Sequence, residues 1–223
     1  LRRRLFLLYS LLFFLILAVI LVTGFTGISG TGYQGRQGEY REQAFRTLSF
    51  VAEMKKDWLL NWVSERRFDV GVIAGSELGR TLVARLSNVR APSTDLGFRD
   101  PRHVNALRTH PAYRPLVSYL QQFGSLHPMY KGISLAEPRR GMIIASSDGD
   151  MVGEDASRYP VYRQALADRC ASVGDIVPEP GSGLPLLRFA DAITGEMGDL
   201  LAVVLVAVDV ETIFKIGRAS CRE

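Results

Sequence analysis

The chain has 223 residues, 47% in the hydrophobic class, 22% charged and 10 of them proline, a balance that excludes a disordered tail or a collagen-like polymer and leaves room for one sizeable domain. The formal net charge is +4, but Arg2, Arg3, Arg4, Arg218 and Arg222 at the two ends carry five positive charges, offset there only by Glu223. The body between them is neutral and gives no electrostatic case for nucleic acid as a partner.

The sequence opens at Leu1 and stops at Cys221-Arg222-Glu223, which reads as a fragment cut at both ends. Residues 216–223 (IGRASCRE) resemble translated adapter read-through and are expected to be a non-native tail, set aside from fold reasoning.

Residues 1–4 form a basic flank. Residues 5–25 (LFLLYSLLFFLILAVILVTGF) contain no charge, and at about 1.5 Å per helical residue they cover the ~30 Å of a bilayer core. A transmembrane helix is therefore expected. A cleavable signal peptide has an apolar region of only ~7–15 residues ending at small residues, for which Val22-Thr23-Gly24 is a poor match. With Arg2-Arg3-Arg4 before the span, the positive-inside bias keeps the N-terminus cytoplasmic and sends everything after Gly27 outside, so the lipid bilayer is the first expected partner.

Cys170 is the one cysteine besides Cys221, which allows no disulfide framework and no cysteine-based metal site. His103, His110 and His127 show no H-E-x-x-H spacing, and Asp148, Asp150, Glu154 and Asp155 fail the EF-hand rule. Gly181-Ser182-Gly183 is no nucleophile elbow. No metal, cofactor or catalytic residue is expected, and an exported enzyme is the weakest of the functional readings.

Residues 26–44, with glycines at 27, 30, 32, 35 and 38, read as a juxtamembrane linker. Leu48, Val51, Ala52, Leu59, Trp62 and Val63 then recur at helical spacing, predicting one long amphipathic helix over about Glu39–Ala74. Gly75-Ser76 interrupts it, with Ser76 placed to cap a second helix over Glu77–Leu86, so that residues 45–88 hold both. The charged runs Lys55-Lys56-Asp57 and Glu65-Arg66-Arg67 read as a solvated face with i,i+4 pairing. The long helix is also the expected seam of a homodimer, although its apolar positions do not follow strict heptads.

Val89–Arg99 reads as a loop. Asp100-Pro101 is a helix-start signal for a helix near Arg102–Arg108. Pro111 and Pro115 are expected to break the pattern before a further helical face at Leu116, Val117, Leu120 and Phe123 that ends at Gly124. After Pro128 the period changes: Tyr130–Ala136 and Gly141–Ser146 read as a hairpin turning through Glu137-Pro138-Arg139-Arg140. A polar loop and a helix from Tyr159-Pro160 to about Asp168 follow, then strands at Asp175–Val177, Leu186–Ala192 and Leu200–Val208. The layout is α+β, with the long helix packed on a five-stranded antiparallel sheet.

Two stretches resemble the extracytoplasmic double-Cache sensor of bacterial membrane signal transducers. Leu59-Leu60-Asn61-Trp62-Val63-Ser64-Glu65-Arg66-Arg67-Phe68-Asp69 is similar to a segment of that family's first helix. Gly132–Leu135, Gly141–Ser146, Gly153-Glu154-Asp155 and Arg158-Tyr159-Pro160-Val161-Tyr162 resemble the strand–turn–strand, loop and helix start of its membrane-distal module, and Gly198–Val204 with Val208-Asp209 its last strand. The resemblance implies a PAS-like sheet over residues 89–215 and a small-molecule pocket on one face. It implies a receptor whose membrane-proximal module, second span and output domain (histidine kinase, diguanylate cyclase or methyl-accepting region) lie beyond this chain.

For such a sensor the ligand's anionic end calls for a cation. Arg158, at a helix start where N–H groups also favour anions, is the first candidate, with Tyr162 one turn on. Tyr130, Ser146 and Asp191 are the further candidates at the sheet face or loop edge. Amino-acid-binding members carry tryptophan and tyrosine two and three residues after the arginine, whereas here these are Pro160 and Val161, which removes that argument for an amino acid. The leading reading is a small-molecule sensing module; the alternative is a membrane-anchored periplasmic scaffold or protein-partner module.

Overall fold

The computed structural model describes residues 2–26, 35–87, 100–179 and 182–211. The expected loop at 89–99 and the tail at 216–223 lie outside the described residues. The chain divides into two compact units, Leu1–Trp62 and Val63–Glu223.

In the first unit, helix α1 runs Arg2–Thr26, and its core Phe6–Gly24 has a mean hydropathy of 2.9 with none of it buried by protein. It is long and apolar enough to cross a bilayer. Helix α2 spans Gly35–Gly75. It therefore begins inside the stretch expected to be linker, since glycine is tolerated in a helix at about 1 kcal/mol each. Tyr40, Phe45, Leu48, Phe50, Trp58 and Leu59 are exposed along it.

The second unit contains the last turns of α2, then α3 (Glu77–Ser87), α4 (Pro101–Thr109) and α5 (Tyr113–Leu126). The Ser76 hydroxyl accepts the Gly79 N–H at 3.2 Å, and an Asp100 carboxylate oxygen accepts the Arg102 N–H at 3.0 Å with Pro101 at the first helical position. Both caps follow the sequence signals. Pro115 differs from expectation: it lies in the first turn of α5 instead of breaking it, where its missing N–H has no intrahelical partner to lose.

Five strands follow: β1 (Tyr130–Ala136), β2 (Ile143–Ser146), β3 (Ser172–Pro178), β4 (Pro185–Thr194) and β5 (Leu200–Asp209), with α6 (Pro160–Asp168) between β2 and β3. They form one antiparallel sheet in the order β2-β1-β5-β4-β3. The run LLAVVLVAVD places β5 at the centre, where both faces are covered and alternation gives way to continuous apolar sequence.

The two faces carry different layers. Helices α3 and α5 lie on one, and α6 lies on the other against β3, β4 and β5. On the α6 side Ala136, Ile143, Val161, Tyr162, Ala165, Ala190, Val203 and Leu205 form a buried cluster. On the opposite side Ile133, Leu135 and Phe189 are almost fully buried. Between β1 and β5 the pairing slips from Tyr130↔Val208 to Gly132↔Ala207, a bulge with Lys131 as the extra residue.

Candidate functional site

The expected polar loop at 147–158 folds back over the α6 side of the sheet. Two short 3₁₀ turns, Gly149–Met151 and Ala156–Arg158, are capped by the Asp148 and Asp155 carboxylates, which accept the Asp150 and Ser157 N–H groups. Gly141 holds the loop down: the Ala156 N–H donates to its carbonyl at 2.7 Å. Its φ is +75, and a Cβ there would lie 3.0 Å from the Ser157 Cβ, so only glycine fits.

Beneath this loop is a partly open cleft with an enclosed volume of about 50 Å³. Its floor is Gly132 and Ser134 of β1, Leu205 and Ala207 of β5, and Leu186 and Arg188 of β4; its rim carries Lys131, Asp148, Met151, Tyr159 and Glu179. An apolar floor with a few polar groups at its edge is the build of a small-molecule site.

The electrostatics single out one group. Asp148 caps its own turn, Glu179 accepts the Ser182 hydroxyl at 2.6 Å, and Lys131 lies 3.5 Å from Asp209. Arg188 is different: its guanidinium stacks 4.4 Å from the Tyr159 ring centroid, and among the described residues no hydrogen bond or ion pair engages it. Stacking orients the planar fork while leaving its five N–H donors free for a carboxylate. Arg158 lies on the same ring, at 4.9 Å, but donates to the Tyr159 hydroxyl at 2.8 Å and pairs with Glu154 at 3.5 Å.

The five candidates from sequence are dispersed. Arg158 is exposed beside the cleft and reaches it through Tyr159. Tyr162 is buried in the α6 cluster, where burial and the Glu137 charge raise its pKa to about 12, and its hydroxyl donates to the Glu137 carbonyl at 2.8 Å. Ser146 is fully buried, bonded to the Ser134 hydroxyl at 2.9 Å and the Ile133 carbonyl at 3.3 Å. Tyr130 and Asp191 face the other way, toward α2. Tyr130 donates to Asp69 at 2.6 Å, burial being the main reason its pKa is raised, and a Cβ on Gly71 would come within 3.7 Å of an Asp191 carboxylate oxygen. Burial raises the Asp191 pKa too.

Arg188, Lys131 and Tyr159 were not singled out by sequence reasoning. A signal for Arg188 exists in the strand LLRFADAI, where period two puts Arg188 with Leu186 and Ala190, and Asp191 with Leu187 and Phe189. Tyr162→Phe is expected to cost about 1 kcal/mol, an ordinary net hydrogen bond. The Glu137 carbonyl retains the Gly141 N–H, so no acceptor is orphaned; urea denaturation measures this, with cleft binding unchanged.

No family model matches this chain, and no curated protein does. Solved structures do. The sensor domain of the V. cholerae histidine kinase DctB is similar at a TM-score of 0.55 and 14% identity, over 77% of this chain and 58% of that one. The sensory domain of the Campylobacter jejuni chemoreceptor Tlp3 with isoleucine bound gives 0.51 and 12%, over 78% and 63%. The ligand-binding domain of the Pseudomonas fluorescens chemoreceptor CtaA in complex with L-serine gives 0.50 and 17%, over 78% and 62%. The chain thus spans about three fifths of the length of these structures. Its five-stranded antiparallel sheet between helical layers shares the fold of these solved domains.

Proposed function

We propose that this chain is the small-molecule sensing module of a membrane-anchored bacterial receptor, facing the extracytoplasmic side, with its output reaction carried elsewhere in the protein. The ligand is a small molecule with a carboxylate, held at Arg188 on the sheet face. The observation that carries this reading is the stacked Arg188 guanidinium with its donors unspent at the edge of an apolar cleft. The fold supports it, as do the bound isoleucine and L-serine of two similar structures. The exposed apolar side chains of α2 and the confinement of copies to one membrane plane support a homodimer along that helix.

One observation favours the partner-binding alternative: about 50 Å³ of enclosed space is below the ~300 Å³ of usual ligand sites. The full chain in detergent micelles, heated with a panel of mono-, di- and amino-carboxylates, separates the readings. Sensing requires a raised melting temperature with at least one compound, about 2.7 kcal/mol of stabilisation at a hundredfold excess over Kd. No shift across the panel in folded protein leaves the partner-binding reading.

Topology is tested through Cys170, which is exposed. In a Cys221→Ser background, a membrane-impermeant maleimide is expected to label Cys170 in cells whose outer membrane is permeabilised and whose inner membrane is intact. Labelling only after the inner membrane is broken would reverse the orientation.

A further inference from the structure

The side of the sheet away from the cleft carries a polar cluster that the binding reading does not use. Arg66 and Asp69 project from α2 with side chains only 11% and 19% exposed and lie 3.2 Å apart. The Tyr130 hydroxyl donates to the same Asp69 oxygen at 2.6 Å, and the Arg66 guanidinium also makes longer contacts, to Glu65 and His127 at 3.4 Å, Tyr130 at 3.5 Å and the Met129 sulfur at 3.8 Å. The Arg66 Nε is buried without a hydrogen-bond partner among the described residues. The 2.6 Å bond is the shortest in the cluster, beside the 3.2 Å Arg66–Asp69 ion pair and one unsatisfied Arg66 donor, an arrangement that a small displacement can redistribute.

Tyr130 is also the residue next to the cleft wall. An unbroken strand would put Tyr130, Gly132 and Ser134 on one face. The bulge at Lys131 inserts a residue, so Tyr130 turns to α2 while Gly132 and Ser134 stay in the cleft floor. Lys131, the inserted residue, is on the cleft rim and 3.5 Å from Asp209, whose N–H donates to the Met129 carbonyl at 2.9 Å. A carboxylate in the cleft competes with Asp209 for the Lys131 ammonium, and any shift of Lys131 moves Tyr130, its covalent neighbour.

We propose that the β1 bulge couples the cleft to a latch made by the Tyr130 hydroxyl on Asp69, so that filling the cleft loosens the grip of the sheet on α2. The direction of the coupling rests on the sensing reading above; its existence does not. Adjacency supplies the route, and energetic coupling is a separate quantity that a double-mutant cycle measures.

The cycle needs no ligand. In the full chain in nanodiscs, hydrogen exchange is followed in the α2 amides of residues 66–72. Tyr130→Phe removes only the hydroxyl and is expected to lower protection there roughly tenfold, as for a lost hydrogen bond to a charged group. Gly132→Phe fills the cleft floor from a position whose Cβ meets nothing within 4 Å, and it is expected to lower the same protection. In the Tyr130→Phe background it should add little. Lys131→Met, which frees Asp209 without adding volume, is the second arm should Gly132→Phe fail to fold.

Unchanged α2 protection in both cleft-side variants, or effects that simply add to that of Tyr130→Phe, overturns the latch. Any carboxylate that binds should also bind several-fold more tightly to Tyr130→Phe, because a latch that favours the empty cleft opposes binding reciprocally. A purely structural tyrosine would leave affinity unchanged. Failure of the whole carboxylate panel would instead count against the sensing reading and leave the cycle to decide the latch.

Discussion

Arg188→Ala is expected to abolish stabilisation by whichever carboxylate raises the melting temperature of the wild-type chain, weakening its affinity by about 10- to 100-fold. The size follows from losing charge-assisted donors at a site where the neighbouring acids are already committed, Asp148 to its turn and Glu179 to Ser182. Arg188→Lys keeps the charge but not the planar fork that stacks at 4.4 Å on Tyr159, so it should fall between the two. Without ligand, Arg188→Ala costs only about 0.5–1 kcal/mol of stability, the value of a partly exposed cation–π contact. Calorimetric titration of the three proteins checks this. Equal affinity in wild type and Arg188→Ala, with both folded, would remove Arg188 from the site.

Its neighbour in sequence should behave in the opposite way. Phe189 is fully buried, paired across the sheet with Val173 and Val206, on the face away from α6. Phe189→Ala is expected to cost about 3–5 kcal/mol, the transfer free energy of the ring plus the cavity it leaves. That is a large share of the ~5–15 kcal/mol that holds a domain together. Urea unfolding followed by circular dichroism should show the midpoint falling steeply with little change in slope. A cost below about 1 kcal/mol would mean that the ring is not packed into a core on this face of the sheet. The two variants together test whether β4 divides its labour by face, Arg188 toward ligand and Phe189 toward the core.

Much of the architecture was legible because its signals are local. The Asp100-Pro101 and Ser76 caps, the apolar run at 5–25 and the strand at 130–136 each depend on a handful of adjacent residues, and the structure has them where the sequence put them. Boundaries were less exact. α2 starts at Gly35 and α5 at Tyr113, since helical hydrogen bonding tolerates glycine and a first-turn proline better than propensity alone implies.

The candidate site was legible only as a neighbourhood. A helix start favours anions and points to Arg158, yet Glu154 and the Tyr159 hydroxyl occupy it. Tyr130 and Asp191 are polar groups on strands, and both face α2. Alternation along β1 is reliable only while the pairing with β5 stays in step, and the bulge at Lys131 breaks that step through contacts to residues some 75 positions away.

The amino-acid order by itself therefore determined the membrane-length helix, the presence of a long helix after it and the α+β succession of elements, all of which follow from periodicity and capping within short windows. Which strand face meets α6 and which meets α2, and so which of Arg188 and Asp191 borders the cleft, was decided only in the folded sheet. Face assignment depends on non-local register, and one inserted residue is enough to invert it.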